Sequence, residues 1–307
     1  MTETILEVEK LVKNYGSFRA VDGISFTIPK GKIVGFLGPN GAGKTTTIHM
    51  LLGITLINGG CVKYFGKDFL QHRLYCLQRI NFTSAFNTLL GRITAHENLR
   101  VFANLYQIKH AKDKIRDLAE YFEITDLLPV LYQNLSAGQK TRVNLVKSLL
   151  NDPELILMDE PTASLDPDIA DKTLTLIEKL KQERNLAILY TSHNMHEITR
   201  ICDEVIFLDH GKIVAYDTPT NLTKRISSAS MRLTFANDTD KKLIEQYLQK
   251  QSQNFAFLDN HTVTVHTEEN LISQVLFGIS STGAAIVDIE IQKPTLEDVF
   301  LQIARKV

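Results

Sequence analysis

The sequence has no tryptophan and only three cysteines, Cys61, Cys76 and Cys202, which stand far apart. A sparse and odd set of cysteines argues against a disulfide framework and is typical of proteins from a reducing compartment. The sequence also has no CxxC motif and no cluster of cysteine with histidine, the patterns that predict a zinc site. The composition therefore favours neither a secreted, disulfide-stabilised protein nor a zinc protein.

An excess of charge of either sign is also missing. The chain has 34 Lys and Arg against 35 Asp and Glu, which gives a formal net charge of −1. Nucleic-acid-binding proteins carry a basic excess on the binding face, so we expect no nucleic-acid partner. With 44% hydrophobic and 22% charged residues, the composition is that of an ordinary globular protein and excludes a mainly disordered chain.

Long apolar runs are absent as well. The longest uncharged runs, 45–62 and 271–287, both contain several polar residues, whereas a membrane-spanning helix needs about 20 predominantly apolar residues. The N-terminal sequence MTETILEVEK is charged from Glu3 onward and lacks the apolar stretch of a signal peptide. We therefore expect a chain that does not cross a membrane by itself and that works in the cytoplasm.

A length of 307 residues predicts two domains, or one large domain with an appendage. Strands alternate with helices through the first two thirds of the chain, which predicts an α/β core with a parallel sheet. A helical subdomain of about residues 86–150 interrupts this core. After residue 225 the order is strand, helix, strand, strand, helix, strand, with the second helix over 268–277, as in a ferredoxin-like α+β domain. We predict a core domain of residues 1–225 and a small domain of residues 226–307.

The strongest motif is a glycine-rich turn between a buried strand, Ile33–Leu37, and a helix. The turn fits G-x-x-x-x-G-K-[ST], a phosphate loop whose backbone amides and following helix N-terminus surround phosphates. Lys44 can reach the β- and γ-phosphates, and the Thr45 hydroxyl can bind Mg²⁺. A chance glycine-rich turn is the alternative. The predicted nucleotide contacts are Gly38, Pro39, Asn40, Gly41, Ala42, Gly43, Lys44, Thr45 and Thr46.

A second motif is an apolar strand that ends in two carboxylates, Asp159 and Glu160. Asp159 is placed to bind Mg²⁺, and Glu160 can act as a general base on a water that attacks the γ-phosphate. Alone, this pattern also suits an ordinary surface turn. The phosphate loop earlier in the chain favours the catalytic interpretation, with ATP and Mg²⁺ as the predicted ligands.

The segment LSAGQ at residues 135–139 is the motif that shows a resemblance to a known family. LSAGQ differs by one residue from the LSGGQ signature of ATP-binding cassette (ABC) ATPases, and the motifs follow in that family's order over about residues 5–220. The resemblance implies a P-loop α/β core in which Ser136 and Gly138 cap the γ-phosphate held by a second copy. An ordinary helix N-cap is the alternative role for Ser136.

The resemblance also assigns three residues outside the signature. His193, in the sequence TSH, would be the switch histidine that contacts the γ-phosphate and assists Lys44 in catalysis; a structural histidine is the alternative. Asp166 would be the D-loop aspartate that communicates across the dimer, with a simple helix cap as the alternative. Tyr15 would stack on adenine, unless it is a core or surface tyrosine.

One position departs from the family pattern. The family has a glutamine ahead of the segment that is ITAHENL here, and counting back from that segment reaches Ala85. An alanine side chain can neither ligate Mg²⁺ nor orient water. The contact that this glutamine makes to Mg²⁺ and water would therefore be absent here, or would come from Ser84 or Asn87. This puts in question the usual coupling between ATP hydrolysis and the transport partner.

The sequence PTLEDVFL at residues 294–301 is similar to the ending of the ATPase subunits of drug and polysaccharide exporters; a capped amphipathic helix is the alternative. The resemblance therefore implies an ATPase subunit that drives export through a separate integral membrane permease. It also implies a homodimer in the ATP-bound state, held at the inner face of the cell membrane by the permease. Two other functions stay open: an ABC ATPase in a non-transport machine, and a weakly hydrolysing regulatory module.

Overall fold

The structure, a computed structural model, describes residues 3–85, 88–163, 165–224 and 228–305. Internal contacts divide it into two compact units, Met1–Pro219 and Thr220–Val307. Each unit has a hydrophobic core of its own. The domain boundary at residue 225 stays a prediction.

The first unit contains ten strands and seven helices among its described residues, and a short helix, α8 (Pro219–Thr223), follows them. In chain order the elements are β1 (Thr4–Tyr15), β2 (Phe18–Pro29), β3 (Ile33–Leu37), α1 (Lys44–Leu51), β4 (Gly59–Tyr64), β5 (Lys67–Asp68), α2 (Arg73–Leu77), β6 (Ile80–Ser84), α3 (Ala95–Leu105), α4 (Ala111–Tyr121), α5 (Ala137–Leu149), β7 (Leu155–Asp159), α6 (Pro167–Arg184), β8 (Ala187–Thr191), α7 (Met195–Ile201), β9 (Glu204–Asp209) and β10 (Lys212–Asp217).

The central sheet has six strands in the order β10-β9-β3-β8-β7-β6, and all neighbours are parallel except β10 with β9. Strands β3 and β8 are buried along their whole length, as expected for parallel strands covered on both faces. The predicted parallel α/β sheet is thus confirmed. The early strands instead form a separate antiparallel sheet, β2-β1-β4-β5, because the short turn between β1 and β2 permits only antiparallel pairing.

Helices α3, α4 and α5 are inserted between β6 and β7, which are neighbours in the sheet. Helices α3 and α5 begin with the same capping box. The hydroxyls of Thr94 and Ser136 accept hydrogen bonds from the backbone amides of Glu97 and Gln139, whose side chains accept a bond in return. These paired bonds fix the start of each helix, so the helical insertion follows from local sequence.

The second unit contains β11 (Ser228–Phe235), α9 (Asp238–Lys250), β12 (Asn254–Phe257), β13 (Thr262–Glu268), α10 (Ile272–Ser280), β14 (Ile286–Gln292) and α11 (Leu296–Arg305). Its antiparallel sheet has the order β12-β13-β11-β14, which is that of a ferredoxin-like unit. The predicted helix over 268–277 was wrong at its start. Strand β13 continues to Glu268, which pairs with Ser228; a 3-10 turn then covers Glu269–Leu271, and α10 follows from Ile272.

The parallel strands place four chain segments at one edge of the central sheet. The carboxyl ends of β3, β6, β7 and β8 all point to this edge. Open α/β sheets bind their ligands in the crevice beyond the carboxyl ends of the strands. The phosphate loop, Ala85, Glu160 and His193 each follow one of these four strands closely, so the sheet gathers the predicted site from distant parts of the sequence.

Candidate nucleotide site

The phosphate loop has a backbone path that glycine adopts far more readily than other residues. Gly41 and Gly43 have φ values of +82° and +103°. A Cβ on Gly38 would lie 2.2 Å from the Leu208 carbonyl oxygen, and a Cβ on Gly43 would lie 2.5 Å from that of Ala20. Strands β9 and β2 therefore pack directly against the loop and leave no room for a side chain at Gly38 and Gly43.

Helix α1 begins at Lys44, and Gly43 is its N-cap rather than its first residue. The Lys44 ammonium folds back and donates hydrogen bonds to the carbonyl oxygens of Gly38, at 2.7 Å, and Pro39, at 3.1 Å. Burial lowers the pKa of Lys44, while the carboxylates of Glu160 and Asp159 oppose that shift. One cation and two carboxylates thus act on one another at this edge of the sheet.

A single threonine of the neighbouring strand bonds both to the Asp159 carboxylate and to the backbone amide of Glu160. The Thr191 hydroxyl donates to Asp159 Oδ1 at 2.6 Å. The Glu160 backbone amide donates to the Thr191 carbonyl at 3.1 Å and to its hydroxyl at 3.0 Å. Glu160 has a φ of +49°, which is uncommon for a non-glycine residue and costs free energy. The bonds to Thr191 stabilise this turn and set the direction of the Glu160 side chain.

His193 contacts the predicted base directly. Its Nδ1 lies 3.2 Å from Glu160 Oε2. The imidazole is 74% exposed, whereas the Glu160 side chain is only 20% exposed, so the histidine covers the carboxylate from the solvent side. The structure therefore brings together two residues that the sequence analysis placed in one site.

The signature segment lies at the start of α5 and against the start of α6. Ser136 is the N-cap of α5, as the alternative role for this residue predicted, and it is exposed. A Cβ on Gly138 would lie 2.6 Å from Ile169 Cγ2. Glycine at this position therefore lets α5 approach the first turn of α6 closely, which ties the signature to the segment that carries Asp166.

Asp166 occupies the N-cap position of α6, but its side chain makes no capping hydrogen bond. Its carbonyl oxygen accepts from the backbone amides of Ile169 and Ala170, and the residue is exposed. Asp166 therefore has the simple cap position that the alternative predicted, although its carboxylate takes no part in the capping bonds. The exposed carboxylate is available to a partner.

Tyr15 lies at the end of β1, where it pairs with Phe18 across the hairpin. Its side chain is 51% exposed, so a core position is excluded. The Lys13 ammonium lies 4.9 Å from the centre of the tyrosine ring. Phe18 is also exposed, and the sequence analysis did not single it out. Two residues further along β2, Ala20 is the residue whose carbonyl presses on Gly43, so this hairpin continues into the wall of the phosphate loop.

The end of β6 carries the position that the sequence analysis compared with the family's glutamine. Ser84 pairs with Asp159 in the parallel register between β6 and β7. Ala85 is half-buried and comes directly after Ser84, one position along from this pair. Asn87, the other residue considered as a substitute for the glutamine, lies outside the described residues. Ser84 is buried beside Asp159, so it is the candidate that the structure places at the site.

Thr191 and Glu197, two residues that the structure places at the site, were not identified from the sequence. In the sequence Thr191 appears only as part of TSH, and nothing in the sequence places its hydroxyl beside Asp159. Glu197 was not considered at all; it lies on α7, four residues after His193, which precedes that helix. It lines a cavity of about 410 Å³ together with Glu160 and His193.

Comparisons with known proteins agree with this geometry. The sequence profile of the ABC transporter family matches residues 21–163. The linearmycin resistance ATP-binding protein LnrL of Bacillus subtilis is 30% identical, over 97% of this chain and 98% of its own length. The chain belongs to the ATP-binding proteins of ABC transporters. As an ABC protein it binds nucleotide and is an ATPase coupled to transport, which confirms the function predicted from the motifs.

Two further comparisons concern this same ABC family. The Nod factor export ATP-binding protein I of Ralstonia nicotianae is 36% identical, over 71% of this chain and 68% of its own length. A solved structure of the ATP-binding subunit of an ABC transporter is 26% identical, with a TM-score of 0.66 over 72% of this chain and 92% of that chain. Family membership implies a membrane permease as partner. Among the described residues, no helix has the length and apolar character of a membrane span.

Proposed function

We propose that this ABC protein hydrolyses ATP between two copies of itself and thereby drives export through a separate membrane permease. The observation that carries the proposal is the cluster at the carboxyl ends of β7 and β8. Thr191 holds Asp159 there, and His193 contacts Glu160. This cluster and the phosphate loop share one edge of the sheet, which is the arrangement that hydrolysis of a bound nucleotide requires.

Each charged residue of the cluster has a role in this proposal. Lys44 and the loop amides bind the β- and γ-phosphates. Glu160 accepts the proton of the attacking water as general base, and His193 contacts the γ-phosphate. A general base must be held in position within hydrogen-bond reach of the water. The turn at Glu160, fixed through its backbone amide by Thr191 and contacted by His193, supplies that positioning.

The oxygen donors at the site fit Mg²⁺. This ion prefers oxygen ligands, retains several waters, and is bound in ATPases by one or two protein groups together with phosphate oxygens. The Thr45 hydroxyl, in the first turn of α1, and the Asp159 carboxylate are such groups. Among the described residues there is no group of three His, Cys, Asp or Glu side chains that could hold a metal. The bound ion would neutralise phosphate charge.

The second copy would complete the site. Ser136 is exposed at the N-terminus of α5, and a helix N-terminus of this length attracts anions through its free amides and its dipole. We propose that Ser136 and Gly138 cap the γ-phosphate bound by the other copy, and that the exposed Asp166 contacts that copy. Tyr15 would stack on adenine, for which its half-exposed ring is suited.

Export is favoured by what the relatives do. One is named for resistance to linearmycin and another for Nod factor export. The full-length similarity to LnrL includes the second unit, so we propose that residues 226–307 form the accessory domain of an exporter ATPase. The protein would then work in the cytoplasm, at the inner face of the membrane, through its permease. Copurification of an integral membrane protein with the full chain tests this part of the proposal.

The test of hydrolysis is Glu160→Gln. We expect ATP binding to be retained, phosphate release to fall at least about 10²-fold through loss of the base, and an ATP-dependent dimer to persist on size exclusion, because uncleaved ATP holds the copies together. Glu183→Gln, at an exposed site on α6, is the matched control and should behave as wild type. A Glu160→Gln protein that stays monomeric with ATP and hydrolyses it at the wild-type rate would show the assignment to be wrong.

A second candidate, a regulatory module that hydrolyses ATP weakly, is favoured by one feature of the sequence: counting back from ITAHENL reaches Ala85 where the family has a glutamine. The same assay separates the two. A regulatory module predicts that the wild-type protein releases phosphate no faster than Glu160→Gln, both alone and with its permease.

A further inference from the structure

A buried carboxylate lies behind the catalytic cluster and is not used by the proposed chemistry. Glu197, on α7, is only 5% exposed. Three hydroxyl groups donate hydrogen bonds to its Oε2 atom: Thr162 Oγ1 at 2.8 Å, Tyr190 Oη at 2.9 Å and Ser192 Oγ at 2.9 Å. In the described part of the chain, all its hydrogen-bond partners are hydroxyls or the Asn194 amide, so it is not one half of an ordinary ion pair.

The three donors come from three different segments of the chain. Thr162 belongs to the turn that follows Glu160, Tyr190 to strand β8, and Ser192 to the loop after β8. Glu197 itself belongs to α7, so a single oxygen atom joins four segments. Such an atom fixes the relative positions of these segments much more tightly than backbone pairing alone, because each donor has a narrow range of allowed distance and angle.

Two of these segments carry the catalytic pair. Ser192 directly precedes His193, and its hydroxyl also accepts a hydrogen bond from the Asn194 backbone amide at 3.0 Å, so the residues on both sides of the histidine are held. Thr162 comes two residues after Glu160, and the turn between them is closed by a bond from the Ala163 amide to the Glu160 carbonyl at 3.0 Å. Glu197 therefore anchors the chain next to both members of the Glu160–His193 contact.

A carboxylate suits this position because one of its oxygens can accept several hydrogen bonds at once. Burial, and then the nearby Glu197 carboxylate, raise the pKa of Tyr190 above its ordinary value, so the phenol stays protonated and remains a donor. Removing the acceptor would leave three hydroxyls without this partner in a region closed to solvent, which is costly.

We propose that Glu197 is a positioning residue for ATP hydrolysis: it holds the turn after Glu160 and the loop of His193 in the register at which these two side chains meet. The inference rests on the proposed roles of Glu160 and His193. The inference predicts an effect on hydrolysis but not on nucleotide binding. The phosphate loop lies on other segments, so loss of the anchor should lower turnover while nucleotide binding is preserved.

The first experiment compares Glu197→Ala, Glu197→Gln and Ser192→Ala in the full chain. For Glu197→Ala and Ser192→Ala we expect kcat to fall roughly 10- to 100-fold, the range for loss of a hydrogen bond to a charged group, with an unchanged dissociation constant for ATP. Glu197→Gln should recover part of the turnover, because its amide oxygen keeps an acceptor for these hydroxyls. Ser148→Ala and Tyr64→Phe, which remove other buried hydroxyls that bond to backbone carbonyls, are the controls and should retain wild-type turnover.

The second experiment separates positioning from general support of the fold. In a His193→Ala background, Ser192→Ala and Glu197→Ala should cost little further activity, because the contact that they position is already gone; independent structural effects would multiply instead. Three outcomes would overturn the inference. They are losses that multiply in the His193→Ala background, a wild-type kcat in folded Glu197→Ala and Ser192→Ala proteins, and a Glu197→Gln protein as defective as Glu197→Ala. If Glu197→Ala does not fold, Ser192→Ala decides the outcome.

Glu160→Gln is measured in parallel. If Glu160→Gln is inactive while the variants of Glu197 and Ser192 match wild type, the inference alone fails. If Glu160→Gln itself hydrolyses ATP normally, the proposed function fails.

Discussion

The ends of strands β7 and β8 differ sharply from the end of their neighbour β6, although all three reach the same edge of the sheet. At β7 and β8, side chains bond to one another at the edge itself: Thr191 to Asp159, and His193 to Glu160. Along strand β6, the Lys147 ammonium of α5 donates to the Phe82 carbonyl at 2.7 Å. At its end stands Ala85, which has no polar side chain.

This difference separates two tasks within one site. The bonds between β7 and β8 hold charged groups at fixed distances, as a general base and a metal ligand require. The end of β6 has no charged group at residue 85, so we expect this position to contribute less to the chemistry. The three predictions that follow test this division, from the largest expected effect to the smallest.

Removing the hydroxyl that joins β7 and β8 should have the largest effect. Thr191→Val keeps the shape of this fully buried side chain but removes the donor to Asp159 and one acceptor of the Glu160 amide. We expect kcat for ATP to fall about 10²-fold, the scale for loss of one preorganised polar contact. Thr173→Val, which removes a buried hydroxyl bonded to the Ile169 carbonyl, is the control. Equal activity of the two variants would remove the distinction between the strand ends.

Adding the missing side chain to β6 should have a smaller effect of the opposite sign. Ala85→Gln is expected to raise Mg²⁺-dependent phosphate release of the isolated subunit roughly 10-fold, less than the about 10²–10³ of a fully preorganised contact. Ala85→Leu, of similar bulk but without an amide, should not raise it. If Ala85→Gln changes nothing and Ser84→Ala abolishes activity, then Ser84 has taken over the role of the glutamine.

The smallest effect on ATP turnover concerns the anchor of β6, which bears on stability instead. Burial lowers the pKa of Lys147 to about 8, against about 10.4 in an unfolded chain. Between these values the unfolded state binds more protons than the folded state, so the free energy of unfolding should rise with pH, by up to about 3 kcal/mol. Lys147→Met should lose this part of the rise. Denaturant unfolding of both proteins at pH 7.5 and pH 10 measures it, and an equal difference between them at the two pH values would contradict the prediction.

Much of the fold and of the site could be predicted from local sequence. The glycine pattern at residues 38–43 requires backbone angles and close approaches that few other residues tolerate, and the capping boxes at Thr94 and Ser136 fix helix starts within four residues. Strand β13 shows the limit of such signals. Glu268 is charged and suits a helix start, yet pairing with Ser228 keeps it in the strand, and this pairing joins residues far apart in the chain.

What the sequence by itself determined was therefore the set of local devices: the phosphate loop, the carboxylates at the end of an apolar strand, and the signature at a helix start. What only the tertiary structure decided was which side chains act together. Thr191 and Glu197 became visible as parts of the site only when β7, β8 and α7 were packed against each other. The physical reason is that a hydrogen bond depends on distances between atoms of a few ångströms, which sequence separation does not fix, whereas backbone angles and helix caps depend on neighbours along the chain.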